Sequence, residues 1–124
     1  MTRDELKQRT KQFGLRIMRL VDALPNTMSG RAVGNQLVRS GTAVGANYRA
    51  ACRSRSRSEF LSRMGIVEEE ADESGYWMEL IGEGGLLKPR RVASLLQESY
   101  ELTRIFAAAI KTTKHSLKKE SKTR

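Results

Sequence analysis

The chain has 124 residues, of which 23 are Lys or Arg and 14 are Asp or Glu, so its formal net charge is +9. A domain of this size can bury a core without disulfides, and the one cysteine cannot form an internal bridge. No N-terminal signal segment and no stretch of about 20 apolar residues is present. These features predict a cytoplasmic protein without a membrane span. The positive charge favours nucleic acid as partner.

Two helices are predicted in the first half of the chain. The first begins at Asp4 and ends near Leu24, just before Pro25. The second follows the polar linker 26–29 and continues to about Arg55. Their predicted core residues are Leu6, Phe13, Ile17, Leu20, Val21 and Leu24 in the first helix, and Val33, Leu37, Val44, Tyr48 and Ala51 in the second.

Two further helices are predicted in the second half. Ser56 and Glu59 form a capping-box pattern at the start of the third helix, which the glycines after Ile81 end. Pro89 suits the first turn of the fourth helix. The predicted core residues are Phe60, Met64, Val67, Ala71, Ser74, Met78 and Ile81 in the third helix, and Val92, Leu95, Leu96, Ser99, Leu102, Phe106, Ala109, Ile110 and Thr113 in the fourth.

Four amphipathic helices with short connections predict an all-α, up-down four-helix bundle, which we place at residues 1–110. Residues 111–124 contain six Lys or Arg against one Glu. Apolar periodicity fades in this segment, and we predict a basic, flexible C-terminal tail.

Small residues form a row along the second helix. Gly34, Gly41 and Gly45 fall within about 40° of one another on a helical wheel. Each glycine inside a helix costs roughly 0.5–1 kcal/mol relative to alanine, so a compensating contact is expected. Close packing of another helix is the favoured interpretation, and ligand binding is the alternative.

Five arginines share a neighbouring sector of about 80° if the second helix is continuous. They are Arg31, Arg39, Arg49, Arg53 and Arg57. A solvated surface is one interpretation. However, no acidic residue interrupts the sector, and like charges repel at close spacing. We therefore expect either an external anion or the acidic residues of another helix opposite these arginines.

The third helix has a second, mixed apolar surface beside its core-facing side. It contains Ile66, Glu70, Glu73, Trp77 and Leu80. A helix with two apolar sides usually packs between two partners, so we predict an oligomer interface with Trp77 as anchor and with Glu70 and Glu73 paired with arginines. Simple burial in the bundle is the alternative.

The residues give no support for catalysis, a metal or a cofactor. The one histidine, His115, lies in the predicted tail, so neither a Glu-x-x-His di-iron site nor a nucleophile with a histidine base is available in the bundle. Residues 45–47 lack the setting of a phosphate-binding loop. We predict that the protein is not an enzyme and binds no cofactor.

Three segments resemble a known family. They are residues 36–51 (QLVRSGTAVGANYRAA), 59–60 (EF) and 70–80 (EADESGYWMEL). The chain resembles the bacterial four-helix bundle proteins first recognised as open reading frames in 23S ribosomal RNA intervening sequences. The resemblance extends over residues 13–110. Family members usually have serine at the position of Ala43 and glutamate at that of Ala50, which argues against a polar site there.

The resemblance implies a left-handed antiparallel bundle that assembles as a homopentamer. It also implies a fold similar to the accessory variability proteins of diversity-generating retroelements, which bind nucleic acid and a reverse transcriptase through basic surfaces. Most family members are encoded apart from both genetic elements, so the resemblance alone does not determine a function.

The residues and the resemblance together predict an oligomer that binds RNA or DNA through phosphate contacts, as a possible accessory factor to a ribonucleoprotein or a reverse transcriptase. The predicted contacts are the five arginines of the second helix together with Lys111, Lys114, Lys118 and Lys119. The alternative is an oligomeric scaffold that binds another protein and uses the arginines for pairs between subunits.

Overall fold

The computed structural model describes residues 1–123, which form four helices and no strand. The prediction of an all-α protein is therefore confirmed for the described residues. The helices are α1 (Arg3–Asp22), α2 (Met28–Cys52), α3 (Arg57–Glu83) and α4 (Pro89–Thr123). Arg124, which belongs to the predicted tail, lies outside the described residues.

Side-chain caps fix the starts of the first three helices. The hydroxyls of Thr2, Thr27 and Ser56 each accept a hydrogen bond from the backbone N–H three residues later, at 3.0–3.1 Å. The capping-box partner Glu59 accepts from the backbone N–H of Arg55 at 3.1 Å. Because residues 53–56 form this reversal, α2 ends at Cys52 and not near Arg55 as the periodicity predicts.

Each helix packs against the next one in the chain, and α1 approaches α4 much less closely. The four helices enclose one apolar core, which establishes a packed helical bundle. Its fully buried side chains include Phe13, Ile17, Leu37, Val44, Met64, Val67, Met78, Ile81, Leu102 and Phe106. All of these residues belong to the predicted core positions, because burial follows the helical period.

Small residues bring α1 and α2 close together. A Cβ atom on Gly41 would lie 2.7 Å from Ile17 Cγ1, and one on Gly45 would lie 3.3 Å from the backbone of Thr10. At Gly34 a Cβ would meet Leu24 at 3.2 Å. The glycine row of α2 thus faces α1, and at Gly41 the space is filled by the partner side chain.

An ion cluster ties α1 to α4, the pair of packed helices that approach each other least. The guanidinium of Arg9 donates to Glu98 at 2.6 and 2.8 Å and to Glu101 at 2.8 Å. The hydrogen bond from Arg9 holds the pKa of the partly buried Glu98 below its ordinary value, and the same bond raises the pKa of Arg9. A two-pronged Arg–carboxylate pair of this kind is stronger than an exposed ion pair.

We expect Glu98→Gln to lower the free energy of unfolding by roughly 1–2 kcal/mol at pH 7. Because the folded-state pKa of Glu98 is depressed, the contribution is fully present above the unfolded pKa of about 4.3 and disappears as pH falls through the folded pKa. Urea unfolding from pH 7 to 3 measures this convergence. The exposed Glu69→Gln is the control, and a constant difference across the pH range would contradict the pairing.

The fourth helix continues past the point where its core pattern fades. Residues 111–123 form the last turns of α4 and are not irregular. Thr113, Ser116 and Leu117 are still half-buried on the side facing the bundle. Helical structure persists there because this side keeps contact with the protein. The predicted flexibility of the segment stays a prediction.

Candidate nucleic-acid interface

The five arginines expected on one helix face lie on different elements. Only Arg31, Arg39 and Arg49 belong to α2, whereas Arg53 caps its C-terminus and Arg57 begins α3. The continuous sector of five arginines therefore does not form, because α2 ends before its last two members. Each arginine has its own surroundings and has to be assessed separately.

Arg39 pairs with acidic residues of the same chain. Its guanidinium lies 3.1 Å from Glu73 Oε1 and 3.6 Å from Glu70 Oε1, across the α2–α3 interface. Glu73 also accepts from the indole N–H of Trp77 at 3.3 Å. The expected acids opposite Arg39 are thus present, but on the neighbouring helix of the same chain. This pairing does not need a second subunit.

Two buried serines, each next in sequence to a member of this ion pair, link the same helices. The Ser74 hydroxyl oxygen lies 3.0 Å from that of Ser40 and 2.8 Å from the Glu70 carbonyl oxygen. Together with Arg39 and Glu73 these residues form what we call the α2–α3 clamp. The clamp joins the two segments 36–51 and 70–80 in space and gives both a structural role.

Arg39→Ala should destabilise the protein by roughly 1–2 kcal/mol, because it leaves the carboxylate of Glu70, which is only 16% exposed, without its cation. The figure is reduced for solvent screening, since Arg39 itself is 55% exposed. Chemical denaturation measures the change. Arg53→Ala is the matched control, because Arg53 is exposed and has no ion pair in residues 1–123. Equal stability of the two variants would contradict the clamp.

The other predicted contact arginines are arranged as follows. Arg31 donates to the Asn26 side chain at 2.9 Å, and Arg57 forms an ion pair with Glu120 of α4. Arg49 lines an open groove of about 420 Å³ between α1 and α2, beside Lys7 and Lys11. Arg49 and Arg53 are exposed and have no acidic partner within the described part of the chain.

The predicted interface residues of α3 differ in exposure. Ile66 and Leu80 are 44% and 37% exposed. Trp77 is half-buried, and Glu70 and Glu73 are engaged in the clamp. We call Ile66 and Leu80, together with the neighbouring Trp77, the apolar strip of α3. The acids between them are already paired with Arg39.

Four lysines form an exposed row on the last turns of α4. Their spacing of three or four residues places them within about 80° on the helix. They are Lys111, Lys114, Lys118 and Lys122. Lys119, also predicted as a contact, is exposed and interacts within the protein. We call the four residues the lysine row. It borders an open groove of about 950 Å³ that also includes Glu68 and His115.

Two basic residues near the α2–α3 turn, Arg3 and Arg55, are not among the contacts predicted from the sequence. Both line a pocket beside Arg57. Arg55 lies two residues before the predicted contact Arg57, which was the available signal for it. The helical period, however, placed Arg55 at the end of the second helix. Arg3 is brought in from the other end of the sequence, which no local pattern reveals.

Residues 1–123 contain no cluster of three or more His, Cys, Asp or Glu side chains that could hold a metal ion. Among the same residues, no helix is both long and apolar enough to cross a membrane. Where glutamates lie close together, as Glu98 with Glu101 and Glu70 with Glu73, they share an arginine partner.

Comparison with known proteins identifies the family. The model of the 23S rRNA-intervening sequence protein family matches residues 3–108. The chain belongs to this family. Its match covers α1 to α3 and the core half of α4, so the lysine row lies outside the matched region. No curated protein matches the chain significantly.

A solved structure supports the assignment to the 23S rRNA-intervening sequence family. It is the crystal structure of a protein with unknown function from the S23 ribosomal protein family of Bacteroides thetaiotaomicron VPI-5482. The two chains share 31% identity with a TM-score of 0.79, over 85% of this chain and 97% of the other. The comparison therefore establishes the fold and the family, and neither protein's activity.

Proposed function

We propose that this protein is a non-enzymatic, cytoplasmic nucleic-acid-binding protein, an antiparallel four-helix bundle that assembles as a homo-oligomer, with a pentamer as the first state to test. The lysine row carries the proposal. Its exposed side chains project from one face of a helix over a length of about 16 Å, which suits contact with several successive phosphates. The antiparallel arrangement is supported by the pairs Arg57–Glu120 and Tyr100–Glu79 between α3 and α4.

Further properties support phosphate contacts with little sequence preference. The net charge is +9, and aromatic residues make up only 6% of the chain, so base stacking contributes little. Lysine binds phosphate as a point charge and not through a directional fork. The family's description links it to 23S rRNA intervening sequences, so RNA is the first nucleic acid to test.

The proposal is tested by titrating the full chain into fluorescently labelled RNA, single-stranded DNA and duplex DNA at about 50 to 200 mM salt. We expect binding whose log affinity falls linearly with log salt concentration, at similar affinity for unrelated sequences. A labelled polyglutamate peptide of equal charge is the control for unspecific attraction. Absence of binding to every nucleic acid at the lowest salt concentration would contradict the proposal.

A scaffold that binds other protein chains is the second candidate, favoured by the exposed apolar strip of Ile66 and Leu80 beside Trp77. We propose that a second copy of this chain packs against this strip. Leu80→Lys should then reduce the oligomer mass measured by light scattering, because it places a charge in an apolar contact. Met28→Lys, at a more exposed methionine, is the matched control. An unchanged mass for Leu80→Lys would exclude this interface.

A further inference from the structure

A pocket of about 310 Å³ lies at the turn between α2 and α3, where residues from all four helices meet. Three arginines belong to its lining, Arg3 of α1, Arg55 of the turn and Arg57 of α3. Ser54, Ser56 and Thr113 also line the pocket, but the Ser56 hydroxyl caps α3 and the Thr113 hydroxyl donates to the Ala109 carbonyl oxygen. The volume is at the lower end of the range for small-ligand pockets, about 300–1,000 Å³. The lining is thus cationic, and its arginines supply most of its hydrogen-bond donors.

The three arginines retain N–H groups for a further acceptor. Arg3 lies over the ring of Phe60, with 5.2 Å from its guanidinium carbon to the ring centroid, and this contact leaves the N–H edge of the guanidinium available. The side chain of Arg55 has no hydrogen bond or ion pair with residues 1–123. Arg57 pairs with Glu120, and a pair with one carboxylate occupies about two of the five N–H groups of a guanidinium.

The nearby carboxylates offset only part of the charge of this cluster. Glu59 accepts from the Arg55 backbone N–H and from the Arg63 side chain, and these bonds hold its pKa below the ordinary value. Glu120 is paired with Arg57. The cluster of Arg3, Arg55 and Arg57 therefore keeps an excess of positive charge toward the pocket.

The hydroxyl of Ser54 supplies an independent sign of a missing partner. Its oxygen is buried and has no hydrogen-bond partner in the described structure. Buried hydroxyl groups are almost always hydrogen-bonded, because leaving one unpaired costs free energy. Because Ser54 belongs to the pocket lining, a small movement of its side chain would bring the hydroxyl to an acceptor bound there.

We propose that this pocket binds a phosphate group, held by Arg3, Arg55 and Arg57 and by the Ser54 hydroxyl. Guanidinium forks match the oxygens of a phosphate, and three of them can surround one group from different helices. That the phosphate belongs to a nucleic acid rests on the proposed function. Either a terminal or an internal phosphate of a strand offers this chemistry.

The test titrates the ¹⁵N-labelled full chain with inorganic phosphate and follows the arginine Nε–Hε signals by NMR. We expect saturable shifts for Arg3, Arg55 and Arg57. Arg55→Gln and Ser54→Ala should each bind phosphate at least about tenfold more weakly than the unmodified chain. Arg53→Gln removes the same charge two residues away, outside the pocket lining, and should bind phosphate like the unmodified chain. Equal binding by Arg53→Gln and Arg55→Gln would overturn the proposal.

Thermal unfolding separates binding from folding. Ser54→Ala should keep or raise Tm, because it removes a buried hydroxyl without a partner. Binding of one RNA sequence with a 5′-phosphate or a 5′-hydroxyl then distinguishes a terminal from an internal phosphate. If Arg55→Gln and Ser54→Ala bind inorganic phosphate as the unmodified chain does while RNA still binds, the pocket proposal fails and the proposed function stands. If inorganic phosphate binds but no nucleic acid does, the proposed function fails and the pocket remains a phosphate site.

Discussion

Replacing Gly41 by alanine should destabilise the bundle by roughly 2 kcal/mol, although alanine is the better helix former. The added Cβ would lie 2.7 Å from Cγ1 and 2.8 Å from Cγ2 of Ile17. These atoms are close to the backbone of a fully buried side chain and cannot move away easily. The helices α1 and α2 must therefore separate or repack. Urea unfolding followed by circular dichroism measures the loss.

Gly65→Ala is the matched control for this prediction. Gly65 also lies inside a helix, but a Cβ at this position would meet no atom within 4 Å. We expect it to stabilise the protein by roughly 0.5–1 kcal/mol through helix propensity alone. If both variants are more stable than the unmodified chain, close approach at Gly41 is not the reason for that glycine.

Replacing Lys111, Lys114 and Lys118 together by glutamine should weaken nucleic-acid binding roughly hundredfold at about 0.1 M salt. Each phosphate contact contributes about 0.7–0.9 to the slope of log affinity against log salt, so three lost contacts should flatten the slope by about 2–3. Glutamine preserves helix propensity and side-chain length. Fluorescence anisotropy at several salt concentrations measures affinity and slope together.

The control removes the same charge at the other end of α4. Lys88, Arg90 and Arg91 are all exposed, and the triple glutamine variant at these positions has the same net charge as the lysine-row variant. We expect a much smaller loss of affinity and an almost unchanged slope. Equal losses in both variants would mean that net charge, and not the lysine row, attracts the nucleic acid.

The sequence was most informative where local physical chemistry determines structure. Ser56 and Glu59 predicted the start of α3 because a side chain satisfies backbone N–H groups there within four residues. Apolar periodicity predicted the buried positions for the same local reason. The end of α2 was misplaced because the residues after Cys52 are compatible with a helix, and only the reversal into α3 ends it.

For residues far apart in the sequence, the type of partner could be predicted but not its position in the fold. Acids were expected opposite the arginines, but the sequence does not specify which helix provides them, and Glu70 and Glu73 proved to lie on the same chain as Arg39. The pair Arg9–Glu98 joins residues 89 positions apart and has no local signal. The continuation of α4 past Ile110 depends on contacts of its half-buried side with the bundle, which the fading pattern concealed.

The unbroken course of α4 has a consequence for how the lysine row is oriented. Residues that pack in the core and residues that form the lysine row belong to one rigid rod, so the rotational phase of one fixes that of the other. Inserting a single alanine after Ile110 would turn the row by about 100° about the helix axis, whereas inserting four would turn it by only about 40°. The helix that carries the core residues therefore also sets the direction in which the lysine row faces.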